Sequence, residues 1–145
     1  MRQGEVVYHW SGHQEEDIAD MHELSVTAGG DNGYFFTSQG SDPYFTLPKI
    51  TADANFNYSL KVTITAPEAT SLKIFFPIAK HQFEYREEES FSGQLKTGEN
   101  TFYVPLNGNE LQGKIRIDLG KAQGKYLFKS LEIRAIKPVK STHAE

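Results

Sequence analysis

The sequence contains no cysteine, which excludes disulfide bonds, thiolate catalysis and cysteine-ligated zinc. Long apolar runs are also missing. None approaches the roughly 18 residues that a membrane-spanning helix needs, so we predict no transmembrane segment. The basic residues are scattered along the chain, whereas nucleic-acid-binding proteins usually concentrate them in a stripe or patch. A nucleic-acid partner is therefore not expected.

Aromatic residues are plentiful by contrast. They make up 12% of the 145 residues, with ten phenylalanines and seven tyrosines, and both types favour strands. The chain length suits one domain with one sizeable core. Its first residues, Met1 to Glu5, are polar and lack the apolar stretch of a signal peptide. We therefore expect either a cytoplasmic protein or a domain cut from a longer chain.

Most of the chain shows the two-residue alternation that is typical of strands. The pattern is clearest at residues 58–65, where Leu60, Val62 and Ile64 face one way and polar residues face the other. Turn residues separate further strand candidates, which lie at residues 6–10, 34–37, 44–47, 72–79, 81–87, 101–106, 114–119 and 126–136.

A helical pattern is nearly absent, so parallel βαβ units are not supported. Only Ile18, Met21 and Leu24, three residues apart, predict one or two helical turns. The pattern as a whole predicts an all-β fold, an antiparallel jelly-roll β-sandwich with one short helix near the N-terminus. We expect residues 1–28 to form an N-terminal strand and an acidic loop or short helix within the same domain. Residues 29–137 are predicted to form the sandwich core and residues 138–145 a tail.

The order of motifs from Gly29 onward resembles the galactose-binding-like jelly-roll modules, a superfamily that includes many carbohydrate-binding modules. The sequence is particularly similar to modules attached to bacterial glycosyltransferases and other cell-surface glycan proteins. The motifs in order are Gly40-Ser41-Asp42-Pro43-Tyr44-Phe45, residues 58–65, 72–78 and 83–92, Gly98-Glu99-Asn100, residues 102–106, Ile115-Arg116-Ile117-Asp118, Gly124 and Ser130-Leu131-Glu132-Ile133.

This resemblance implies a non-catalytic carbohydrate-binding module. It would be an accessory domain of a bacterial glycan-processing or glycan-synthesising protein, with an oligosaccharide or polysaccharide as ligand and an attached catalytic domain as a partner. A location within a cell-surface-associated bacterial protein is the alternative to the cytoplasm. Two rival functions stay open: a structural or protein-interaction sandwich that binds no sugar, and a small glycan-active enzyme, such as a polysaccharide lyase or hydrolase.

Sugar-binding sites combine an aromatic ring, which stacks on the C–H face of a pyranose, with polar groups that bond its hydroxyls. The alternative for each aromatic residue is a place in the sandwich core. Arg116 and Asp118 share one strand face, where they form either a sugar contact or a structural ion pair. The other candidate ligand-binding residues are Trp10, Tyr34, Tyr44, His81, Phe83, Tyr85 and Arg86.

Metal binding and acid catalysis have weaker signals. Many jelly-roll modules hold a structural calcium ion, for which Asp31, Asp42 and Asp53 are loop carboxylates of the required type. The acidic stretch around His13 and His22 matches no zinc motif, and a solvated loop is the simpler interpretation. The run of three glutamates from 87 to 89 is likewise more typical of a polar loop than of a catalytic acid pair. No catalytic residue is predicted.

Overall fold

Eleven strands make up most of the regular structure in residues 2–138, the residues that this computed structural model describes. The strands are β1 (Val6–His9), β2 (Asp20–His22), β3 (Leu24–Gly30), β4 (Gly33–Ser38), β5 (Tyr44–Thr46), β6 (Phe56–Ala66), β7 (Thr70–Phe75), β8 (Ser90–Leu95), β9 (Gly98–Asn107), β10 (Arg116–Leu119) and β11 (Lys125–Pro138).

The strands form two antiparallel sheets. Sheet A has the order β3-β4-β11-β6-β9, and β1 also pairs with β11; sheet B has the order β2-β5-β10-β7-β8. Neighbours in each sheet come from distant parts of the chain, as when β10 pairs with β5 and β7. The prediction of an all-β jelly-roll sandwich is confirmed.

The core lies between the sheets because alternate residues of each strand point inward. In β6, Leu60, Val62 and Ile64 are fully buried, as the alternation predicts. The rings of Phe36 on sheet A and Phe45 on sheet B stack across the core with centroids 4.4 Å apart. Burying one such side chain contributes roughly 1.5–3 kcal/mol, so this interleaved apolar layer is what holds the sheets face to face.

The turn between β3 and β4 uses a backbone that few residue types accept. Asp31 and Asn32 have φ of 49° and 66°, and Gly30 pairs with Gly33 around them. Two left-handed residues in a two-residue loop match the twist of a β-hairpin, and Asp and Asn tolerate that conformation. This turn joins β3 to β4 at one edge of sheet A.

The helix near the N-terminus is shorter than the one predicted from Ile18, Met21 and Leu24, and it lies earlier in the chain. It spans Gln14–Asp17. Met21 lies in β2, and Leu24 begins β3, so the helical interpretation of this part was wrong. Met21 and Leu24 therefore belong to different strands in different sheets, and their spacing of three residues is a coincidence.

A strand predicted at residues 81–87 is also absent. The segment instead contains two short 3₁₀ turns, Ala79–His81 and Glu87–Glu89. Between them Gln82 and Phe83 both have φ of 60°. A strand needs φ near −120°, so two successive left-handed residues turn the chain away from the sheet. Residues 76–89 form a long loop between β7 and β8.

The N-terminal residues belong to the same sandwich, because β1 pairs with β11 and β3 pairs with β4. Strand β3 runs across the boundary expected at residue 28. Residues 139–145 of the expected tail lie outside the described residues. Among residues 2–138, no helix has both the length and the apolar character needed to cross a bilayer.

Candidate functional site

Aromatic and charged side chains meet on the outer face of sheet B, the face turned away from the core. Alternation turns Ile74 and Ile117 inward, where both are fully buried, so their strand neighbours point outward. Arg116 lies directly opposite Phe75 of β7. We call this surface the Arg116 platform and define it as Tyr44, Phe75, Tyr85, Arg116 and Asp118.

Three rings surround the Arg116 guanidinium. Its central carbon lies 4.5 Å from the ring centroid of Tyr44 and 4.7 Å from those of Phe75 and Tyr85. Each such cation–π contact is worth about 0.5–1 kcal/mol at an exposed site and more where water is excluded. The three rings come from β5, β7 and the β7–β8 loop, so one arginine ties three separate segments together.

Asp118 also holds the Arg116 guanidinium in place. Arg116 donates from Nε to Oδ1 at 2.8 Å and from Nη2 to Oδ2 at 2.9 Å. This bidentate geometry fixes the orientation of the arginine. Burial raises the pKa of Asp118 above its ordinary value, and the hydrogen bonds and charge of Arg116 offset only part of that rise. Burial lowers the pKa of Arg116, but the carboxylate of Asp118 more than compensates.

Polar groups border the platform on both sides. The His22 ring stacks on Tyr44 with centroids 4.7 Å apart and planes only 14° from parallel. On the other side Lys73 donates to Glu87 at 2.7 Å. Sequence reasoning did not assign His22 or Phe75 to this face. For Phe75 a signal existed, because the position next to the inward-facing Ile74 must point outward.

A hollow of about 280 Å³ adjoins the platform. Tyr85 borders both, since its ring covers Arg116 while its hydroxyl donates to the backbone carbonyl of Lys114 at 2.8 Å. The ring of Phe83 is 45% exposed at this hollow. Gly113 makes room for it, because a Cβ at that position would lie 3.0 Å from the Phe83 ring. The remaining lining residues are Lys49, Pro77 and Gln112.

The loop that carries Tyr85 is held by ion pairs. His81 and Glu89 are joined by a hydrogen bond of 2.7 Å, and Arg86 donates to Glu88 at 2.9 Å. Because Glu87 pairs with Lys73, each glutamate of the triple has its own side-chain partner. His81 and Arg86 therefore brace the loop, and their nearest partners are these carboxylates.

The structure places Trp10 and Tyr34 in the core, away from the platform. Trp10 is 3% exposed and Tyr34 is 1% exposed, and their rings meet edge to face at 5.0 Å. Tyr34 donates its hydroxyl to the buried carboxylate of Asp17, which explains how a polar aromatic residue is accommodated there. Both rings are therefore almost completely covered by the sandwich.

The expected calcium ligands do not come together. Asp31 is in the β3–β4 turn, Asp42 precedes β5, and Asp53 precedes β6, where its Oδ1 accepts from the Asn55 N–H at 2.9 Å. Throughout residues 2–138, no three or more His, Cys, Asp or Glu side chains group as metal ligands would. His13 begins the short helix and His22 lies in β2.

The platform therefore offers aromatic surface beside oriented polar groups. Its rings are held by a sheet and by a braced loop, so little conformational entropy is lost when a ligand binds. Such a surface suits a ligand that has both apolar faces and hydroxyl or carbonyl groups.

Neither a protein-family model nor a curated protein matches the sequence, whereas solved structures do match the fold. A structure titled BiXyn10A CBM1, in its apo form, has a TM-score of 0.64 at 10% identity over 90% of this chain and 98% of that chain. The CBM22-1 xylan-binding domain of Xyn10C from Paenibacillus barcinonensis has a TM-score of 0.63 at 13% identity over 96% and 99%.

A third match is the enzymatically active domain of tailspike protein 4 from bacteriophage CBA120. Its TM-score is 0.62 at 12% identity, covering 88% of this chain but only 20% of that chain. At these identities the likeness concerns the fold. The chain is a jelly-roll β-sandwich of the kind found in carbohydrate-binding modules.

Proposed function

We propose that this chain is a non-catalytic carbohydrate-binding module that holds an oligosaccharide or polysaccharide on the Arg116 platform. The observation that carries the proposal is the Arg116 guanidinium, which three rings surround and Asp118 orients on an outer sheet face. Packing of the core does not require these rings around Arg116, because the platform lies on the face of sheet B that points away from the core.

The chemistry of the platform matches that of a pyranose. The C–H face of the sugar would stack on the exposed side of Tyr85, as apolar ligand faces do on aromatic rings, because His22 and Arg116 cover the two faces of Tyr44. The guanidinium N–H groups that do not bond Asp118 would donate to sugar hydroxyls, and the carboxylate of Asp118 would accept from them. A few ring contacts and hydrogen bonds give weak binding for each site.

The pairing of the nearby carboxylates favours binding over catalysis. Glycosidases need two carboxyl groups facing each other across the scissile bond, roughly 5–10 Å apart. On and beside the platform, Asp118 is bonded to Arg116, Glu87 to Lys73 and Glu89 to His81. These pairs support a rigid recognition surface in which the three carboxylates are already engaged by the protein.

The host protein is a further part of this proposal. Two matched structures coincide with this chain over nearly their whole length, and one of them is named as xylan-binding. The tailspike domain carries the same fold within a much longer chain. We therefore propose an accessory domain of a bacterial glycan-processing or glycan-synthesising protein, which keeps an attached catalytic domain close to its polysaccharide.

A glycan array that includes xylan fragments tests the proposal. The wild-type domain should bind at least one glycan, and the double variant Tyr44→Ala/Tyr85→Ala should bind that glycan more weakly. Phe35→Ala is the matched control, because Phe35 is a partly exposed ring under Lys125 on the opposite sheet and its loss should change nothing. A folded wild-type domain that binds no glycan would leave the protein-interaction function as the better explanation.

A further inference from the structure

A groove of about 560 Å³ lies on the outer face of sheet A, on the opposite side of the sandwich from the Arg116 platform. Its most prominent wall is Tyr103 of β9, which is 65% exposed. A ring left in water forgoes roughly 1.5–3 kcal/mol of burial, so an exposed ring beside a groove suggests a ligand surface. The other lining residues are Asn57, Tyr58, Ser59, Pro105, Leu106, Asn107, Glu110, Ile136 and Lys137.

The groove arises from the register of β6 and β9. Ser59 pairs with Pro105, and both side chains are short, so this row forms the floor. The rows on either side carry longer side chains, namely the pairs Lys61–Tyr103 and Asn57–Asn107. Because strand pairing fixes these rows, the groove is preformed and does not need a loop to move.

Hydrogen-bonding groups line the groove beside the ring. In residues 2–138, the side chains of Asn57 and Ser59 form no hydrogen bond with another described residue. Glu110 accepts from the Asn107 N–H through Oε1 at 3.0 Å, which fixes the carboxylate at the rim. Glu110 and Lys137 contribute opposite charges to the lining, and Lys61, whose Nζ lies 5.9 Å from the ring centroid of Tyr103, adds a positive charge beside the ring.

From this geometry we infer that the Tyr103 groove is a second binding site for an oligosaccharide. Its volume lies within the range of about 300–1,000 Å³ that small-ligand sites occupy. Tyr103 supplies the stacking ring, while amide, hydroxyl and carboxylate groups bond the sugar hydroxyls. Because the two sites lie on opposite faces, one domain would hold two polysaccharide chains at once and thereby link them.

NMR titration of the ¹⁵N-labelled domain tests this inference. The probes are xylohexaose, cellohexaose, laminarihexaose and maltohexaose at millimolar concentration. At least one should shift the backbone amides of Asn57, Ser59 and Tyr103 in a saturable manner. Tyr103→Ala should weaken this binding about tenfold, the equivalent of about 1.4 kcal/mol, and Tyr103→Phe should retain most of it. Thr101→Ala, on the same strand and face, is the control and should have no effect.

The outcomes separate this inference from the proposed function. Shifts at the groove that persist in Arg116→Ala support a second, independent site. Shifts confined to the Arg116 platform overturn the second site and leave the first intact. Shifts confined to the groove support the second site and count against the first, while no shift with any of the four probes overturns the groove site as well.

Discussion

The guanidinium of Arg116 lies 4.5 Å from the ring centroid of Tyr44, although the two residues are not opposite each other in the sheet. In the β5–β10 ladder Arg116 pairs with Thr46, and Tyr44 pairs with Asp118. The arginine side chain therefore runs along its own strand to reach both Asp118 and the diagonal tyrosine. This diagonal contact brings the Tyr44 ring and the oriented carboxylate of Asp118 together around one guanidinium.

Replacing Arg116 with lysine should weaken glycan binding about tenfold, which corresponds to about 1.4 kcal/mol. Lysine keeps the positive charge but has no planar fork to bond Asp118 and stack between rings. Affinity electrophoresis in a gel containing the best glycan from the array measures the change. Arg134→Lys is the matched control, because Arg134 also bonds a carboxylate two residues away, Glu132, but on sheet A. Equal mobility shifts for the two variants would contradict the platform as the site.

As the pH is lowered, glycan affinity should begin to fall at a higher pH than it would if Asp118 had the ordinary pKa of an aspartate. Burial raises the pKa of Asp118 above its ordinary value of 3.8, so the carboxylate is lost as an acceptor at a higher pH. The raised pKa affects the stability of the fold in the opposite direction, because acidification strengthens the fold while it weakens glycan binding. The contribution of Asp118 to the unfolding free energy is fully present below the ordinary pKa and is lost as the pH rises through the raised one.

Calorimetric titration across the acidic range measures this dependence. Asp118→Asn should bind more weakly at neutral pH and should show a flatter pH profile. A wild-type profile that follows an unshifted carboxyl, or one that Asp118→Asn leaves unchanged, would disprove the assignment of Asp118 as a ligand contact.

Tyr34→Phe should destabilise the fold by about 1.5–3 kcal/mol, the usual value for a hydrogen bond to a charged group. Its hydroxyl donates to the Asp17 carboxylate, which also accepts from the backbone N–H and the hydroxyl of Ser11 and from the N–H of Gly12. Tyr126→Phe removes an equally buried hydroxyl from a neutral carbonyl, that of Ala122, and should cost only about 0.5–1.5 kcal/mol.

Urea unfolding of both variants gives the two free energies. Glycan binding should not change in either variant, since both rings lie in the core. A Tyr34→Phe protein with native stability but reduced affinity would contradict the core assignment of Tyr34.

The domain should lose stability in alkali as the pH rises above the ordinary tyrosine pKa of 10.0. Burial is the main cause that raises the pKa of Tyr8 and Tyr34, and the nearby Asp17 carboxylate adds to it. The unfolded chain therefore ionises first, and the stabilisation present below that pH is lost above it. Melting temperatures measured between neutral and alkaline pH should fall less steeply for Tyr8→Phe and Tyr34→Phe than for the wild type.

Calcium should not stabilise the domain. Asp31, Asp42 and Asp53 lie in three separate loops, whereas a calcium site needs six to eight oxygen ligands around one point. The melting temperature in excess calcium should equal that in excess EDTA. A rise of several degrees with calcium would show a site that these three residues do not explain.

Local sequence patterns predicted most of the strands. In β6 and β11 the apolar residues alternate over many positions, and each long strand was found near its observed bounds. Strands β2, β3 and β8, by contrast, were missed, and β8 shows why. Its sequence Ser90-Phe91-Ser92-Gly93-Gln94-Leu95 has few apolar residues, and it is a strand because β7 offers it a pairing edge.

The candidate site was predictable only in part. Tyr44, Tyr85, Arg116 and Asp118 were selected by residue type, and Trp10 and Tyr34 were selected on the same grounds. Residue type cannot separate the two groups, because an aromatic ring is equally suited to a core and to a sugar.

The sequence by itself determined that this chain alternates apolar and polar residues in short segments, and hence that it forms strands with one buried face. Only the tertiary structure decided which segments are neighbours. Arg116 meets Tyr44 and Phe75 because β10 pairs with β5 and β7, contacts between residues far apart in the chain. Alternation is a local property that determines on which face of a sheet a side chain lies. Which strand pairs with which depends on how distant strands share the burial of one core.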